Sequence, residues 1–207
     1  MNRHISLSVG TTLRFAQMYM ARQSTGSASG VLACAVLLAT LSLNGAQALA
    51  ESHHGAMPTK AIATISGTAG NDVSGTVTFT QQDDGVLIEA DITGLSPGKH
   101  GFHIHQYGDI SAADGKSTGG HFNPAGNEHA GPEAAKRHVG DLGNLEADEN
   151  GHAMYKRVDT VIQIHGQHTI LSRAVTIHAG ADDLTSQPTG AAGARVAHGI
   201  IGVAKSE

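Results

Sequence analysis

The chain has 207 residues, a formal net charge of −5 and one cysteine. That length fits one domain or two small ones. The acidic balance argues against binding nucleic acid through general electrostatics.

Residues 1–50 are expected to be a secretory signal peptide. They carry Arg3, Arg14 and Arg22 without an acidic residue, then the apolar run VLACAVLLATLSL, and they end on Ala48-Leu49-Ala50. That ending is a small-x-small cleavage pattern, and the run is shorter than the roughly 20 residues a membrane span needs. Cleavage there would discard Cys34, and the loss of three arginines would take the net charge from −5 to −8. Export usually favours disulfides, yet the expected mature chain can form none. Its stability must come from its core, its sheet pairing and bound metal. Residues 51–59, ESHHGAMPT, are expected to be a flexible leader, with His53 and His54 either incidental or metal-capturing.

From Lys60 onward the pattern changes to short alternating runs: AIATISG, TVTFTQ, VLIEADITG and GFHIHQY. Each is rich in Val, Ile and Thr, and Gly, Asp, Asn and Pro separate them as turn formers. Regular short strands of this kind predict an all-β sandwich or barrel. The alternation stops between Gly108 and Gly140, and so long a loop in a compact domain is uncommon unless it is functional. Strand patterns resume at DLGNLEA, GHAMYKRV and RAVTIHA, and a second irregular loop, GADDLTSQPTGAAG, precedes the last predicted strand, ARVAHGIIGVAK. Residues 60–207 are therefore expected to form one domain without a helix of useful length.

His103, His105, His121, His129 and His138 crowd into one Gly-rich stretch that closes on Asp141. A solitary His is ordinarily a core or surface residue. This many together predict a metal centre, since imidazoles suit copper and zinc and a carboxylate can complete a zinc set. His103 and His105, two apart on a predicted strand, project from one face. His178, at the end of a later strand, could bring a further imidazole. His121, His129, His138 and Asp141 would make a closed tetrahedral site.

The motifs GFHIHQYGD, GGHFNPAGNEHAGP, RHVGDLGNLEADENG, AVTIHAGADDL and GAAGARVAHGIIGVAK resemble the copper,zinc superoxide dismutases over essentially all of Lys60 to Lys205. The resemblance implies a Greek-key β-sandwich or flattened barrel of about eight antiparallel strands with two long functional loops. It implies dismutation of superoxide to dioxygen and hydrogen peroxide through a Cu(II)/Cu(I) cycle. Copper would be held by His103, His105, His121 and His178, and zinc by His121, His129, His138 and Asp141. His121 would bridge the two metals and relay a proton. Asp182 would link the outer nitrogens of His103 and His129, Arg195 would guide the anion, and Thr189 would narrow the channel opposite it. Superoxide is the implied partner, no nucleic-acid or membrane partner is expected, and the sequence leaves open whether the chain forms a homodimer.

The family's intrachain disulfide falls here on Gly115 and His198, so it is expected to be absent. His198 is then either a partial replacement, hydrogen bonding into the loop near Gly115, or a tolerated strand residue. A family steering lysine falls on Pro188, which leaves Lys116, Lys136 and Arg137 as candidates for attracting superoxide. The competing function is a dismutase-like exported protein that buffers or delivers copper. Such a carrier would not need an anion-guiding arginine.

Overall fold

The computed structural model describes residues 57–205. The expected signal peptide, His53 and His54 lie outside the described residues. The strands follow the alternation in the sequence: β1 (Lys60–Gly67), β2 (Ser74–Gln82), β3 (Gly85–Thr93), β4 (Gly98–His105), β5 (Asp141–Ala147), β6 (Ala153–Asp159), β7 (Ala174–His178), β8 (Arg195–Ile200) and β9 (Gly202–Val203). They pair antiparallel in the order β5-β4-β7-β8-β1-β2-β3-β6. The chain steps over neighbours between β3 and β4 and again between β6 and β7, and this gives the Greek-key crossing. The end strands approach each other where the Tyr155 hydroxyl of β6 donates to the Leu142 carbonyl of β5 at 2.9 Å. The sheet thus nearly closes into a barrel, which limits exposed strand edges.

Inward positions alternate as a period of two requires. Ala61, Ala63 and Ile65 of β1, Val77 and Phe79 of β2, and Ile88 and Ile92 of β3 are all buried in one core. Each larger side chain of this set contributes about 1.5–3 kcal/mol by leaving water. β4 departs from the half-exposed pattern: Phe102 and Ile104 face the core, His103 and His105 face outward, and all four are buried. Residues 106–140 and 179–194 lie over that outer face, so an outward side chain there still escapes solvent. Among the described residues, helical structure is limited to one 3-10 turn at Lys116–Thr118. No helix among them is long and apolar enough to cross a membrane.

Two local expectations need correction. The last predicted strand is interrupted at Ile201, which bonds sideways to Ser172 and Arg173 through its carbonyl and N–H at 2.9 and 2.8 Å; β9 then pairs with β1. Arg137, a candidate for steering superoxide, is buried and ion-paired with Asp159. It also donates to the carbonyls of His138 and Val139 at 2.9 and 3.1 Å. Arg137 therefore staples the long loop to the end of β6 and cannot face an incoming anion. Removing either partner alone would strand a buried charge, at a cost of roughly 3–5 kcal/mol.

Candidate metal centre

Three of the imidazoles stand on paired strands. β4 carries His103 and His105, and β7 carries His178, with Phe102 opposite Ile177 and His105 opposite Ala174. His121 is delivered by the loop but is pinned against β4, where it forms an isolated bridge with His105. Asp141 opens β5 opposite His103, just past a register shift in the β4–β5 ladder. These placements bring His103, His105, His121 and His178 into one buried group, and His121, His129, His138 and Asp141 into a second. Within each group the candidate ligand atoms lie within 4.8 Å of one another.

The outer nitrogen of each ring is held from behind. His105 Nδ1 donates to the Gly119 carbonyl at 2.9 Å, and His178 Nδ1 to the Gly193 carbonyl at 3.0 Å. Asp182 accepts from His103 Nε2 at 2.8 Å through one oxygen and from His129 Nε2 at 2.9 Å through the other. Such backing fixes tautomer and ring orientation. The inner atoms converge. Asp141 Oδ1 lies 2.7 Å from His121 Nδ1, 3.0 Å from His129 Nδ1 and 3.1 Å from His138 Nδ1, while His178 Nε2 and His105 Nε2 face each other at 3.4 Å. His103 Nδ1, His121 Nε2 and His129 Nδ1 are buried without a hydrogen-bond partner. Orphaned buried nitrogens need an explanation, and a bound cation would supply it. His121 points one nitrogen into each group.

The electrostatics separate the two groups. Burial drives His103 down to about 3, against the partial relief of Asp182, and drives His178 down to about 4. Burial also holds His105 well below its usual range. These rings are neutral at pH 7 and ready to donate lone pairs. Burial also disfavours charge on His129, but the carboxylates of Asp182 and Asp141 against its ring overcome that and raise it to about 9. His129 therefore carries a proton at pH 7 that a metal must expel. Apparent zinc affinity of the second group is expected to rise about tenfold per pH unit from 7 until pH approaches that of His129, about 9, and then to flatten. A competition titration at stepped pH checks this, and a flat profile would contradict it.

A channel of about 440 Å³ opens onto His105 and His178, with Arg195, Thr189 and Asn71 on its walls. Arg195 is half-buried and locked in place. Its two terminal nitrogens donate to the carbonyls of Gly115 and Gly119, each at 2.6 Å. Thr189 lines the same channel.

The family model for copper/zinc superoxide dismutase (SODC) matches residues 73–201. The chain belongs to the copper/zinc superoxide dismutase family. A solved structure described as that of the clock protein EA4 is 45% identical, with a TM-score of 0.67; the match covers 73% of this chain and 99% of that one.

The positions where this dismutase-family chain would carry the disulfide are neighbours: a Cβ on Gly115 would lie 3.3 Å from His198 Nδ1. That nitrogen is nevertheless buried without a hydrogen-bond partner, so His198 does not replace the bridge by bonding into the loop. Other groups hold the loop. Ala69 N–H donates to the Ala113 carbonyl at 2.9 Å, and Arg195 fixes Gly115 and Gly119. Thr118, which sequence reasoning missed, donates its hydroxyl to Gly115 at 2.9 Å and sits 3.0 Å from His105 Nδ1. Lys116, the second steering candidate, stands on the channel wall but is paired with Asp114 at 2.8 Å. Lys136 is exposed and is not among the channel's lining residues. Asn144 was also missed: its amide accepts from Asp182 N–H at 2.8 Å and donates to the Asp182 carbonyl at 2.9 Å.

Proposed function

We propose that this chain is an exported copper/zinc superoxide dismutase, with superoxide as substrate. What supports the reading is a single ring, His121, with one nitrogen in each of two buried donor sets beside an arginine-walled channel. The first set, all imidazole, suits copper, and the second, with its carboxylate, suits zinc. Copper, when bound, supplies the one-electron chemistry that turns one superoxide into dioxygen and reduces a second, with two protons, to hydrogen peroxide.

The chain's own residues do the rest. Arg195 presents a fixed guanidinium that attracts and orients a small anion beside His105 and His178. His121 Nε2, buried and without a protein partner, is the atom that can hold and hand on one of the two protons. Asp182 keeps the rings of His103 and His129 from turning. The signal-peptide pattern ahead of Glu51 carries the proposal of export to a periplasmic or extracellular space. Copper buffering or delivery would also use the two donor sets, but the locked arginine in the channel favours the enzyme.

The test is metal analysis of the purified protein with a superoxide-removal assay on it and on Arg195→Ala. A charge-assisted hydrogen bond is worth about 1.5–3 kcal/mol, so the variant should lose roughly 10–150-fold in rate while keeping both metals. A loaded protein without superoxide-removal activity would favour the carrier.

A further inference from the structure

Each proposed ligand of the second metal except one has its backbone fixed by its own surroundings. His121 is flanked by bonds from Gln106 N–H to the Gly120 carbonyl and from Phe122 N–H to the Ile104 carbonyl, at 2.8 and 2.9 Å. His138 N–H donates to Asp141 Oδ2 at 2.9 Å, its carbonyl accepts from Arg137, and Asp141 begins a strand. His129 stands in irregular chain, and its backbone has no main-chain partner among the described residues. Both of its backbone groups go to one side chain: His129 N–H donates to Gln187 Oε1 and Gln187 Nε2 donates to the His129 carbonyl, each at 2.8 Å.

Gln187 belongs to the loop that also carries Asp182, and that loop is folded on itself. Gly190 N–H donates to Ser186, Asp183 N–H to Gly190, and Leu184 N–H to Asp182 Oδ1, at 2.7, 2.9 and 2.7 Å. Gly190, at φ +66°, passes directly over the Asp182–His129 hydrogen bond. A Cβ there would overlap Asp182 Oδ1 and stand 2.7 Å from His129 Nε2. Asn144 grips the backbone of Asp182 and Gln187 grips that of His129, so the two partners of the buried bond are clamped in the same way.

We infer that Gln187 is a positioning residue of the second metal site: its amide, on a loop closed by Gly190, holds His129 in place and sets how long that metal is retained. The inference rests on the reading of His121, His129, His138 and Asp141 as a metal site. Gln187 is exposed, so replacing it leaves the core intact. Asp182 keeps the ring of His129 bonded and Ala130 N–H still donates to Asp141 Oδ2 at 3.2 Å, but both backbone groups of His129 itself lose their partner.

The experiment uses the full exported protein loaded with Cu2+ and Zn2+. Zinc transfer to excess chelator is followed in the parent, Gln187→Ala, Gln187→Glu and Gly190→Ala, and a parallel set carries Co2+ in place of zinc as a visible reporter. Outer partners of metal ligands typically change affinity about 10–100-fold. Gln187→Ala is expected to release zinc about tenfold faster with an altered Co2+ spectrum, an unchanged copper spectrum and an unchanged metal-free melting temperature. Gln187→Glu, which keeps the acceptor for His129 N–H, should recover part of the retention, and Gly190→Ala should release zinc fastest. Zinc release at the parental rate from Gln187→Ala overturns the inference alone. So does faster release that merely tracks a lower metal-free melting temperature. A parent that takes up no zinc overturns the metal-site reading, and the inference with it.

Discussion

His121→Ala is expected to abolish superoxide removal to at least about 100-fold below the parent and to lower the content of both metals. Outer partners of metal ligands already cost about 10–100-fold, and His121 is a candidate ligand in both donor sets. Without its ring, His103, His105 and His178 keep three nitrogens for the first ion. The second group keeps His129, His138 and Asp141, so each set is reduced but not erased. The fold should survive, because the ring lies outside the barrel core and its flanking backbone bonds are main-chain. Metal content by elemental analysis, with far-UV circular dichroism as the folding control, checks the prediction. A variant that kept full activity would remove the shared-ring reading.

Asp182→Ala is expected to weaken both sites at once, by about 10–100-fold in affinity at each. The two oxygens of Asp182 accept from rings whose side chains are fully buried, so both N–H groups would lose their only acceptor. His129 would also lose one of the two carboxylates that hold it protonated, the other being Asp141. The pH dependence of zinc uptake should therefore shift downward in the variant. Competition titrations with Cu2+ and Zn2+ separately would check it. A loss confined to one metal would show that Asp182 backs one ring only.

The strands and all seven proposed ligands were legible in the sequence for two physical reasons. Alternation fixes which face a strand residue takes, and several His close together have few bland explanations. The break between β8 and β9 was not legible, because it arises from Ile201 bonding to Ser172 and Arg173 on a distant segment. Thr118, Asn144 and Gln187 were missed because each works through backbone groups, and backbone groups leave no residue signature. Gln187 meets His129 across 58 positions and Asn144 meets Asp182 across 38. Arg137, beside Lys136 in a Gly-rich loop, reads as a solvated charge until Asp159 appears beneath it. The neighbourhood of Gly115 and His198 was anticipated from the resemblance, whereas the hydrogen bond between them was not found.

The tie between the long loop and β8 consists of hydrogen bonds from Arg195 to Gly115 and Gly119, and the described residues contain no thiol. Maturation of this domain consequently calls for no oxidant and no disulfide-forming partner. Reducing agents that would open a cystine leave this fastening of the channel wall untouched.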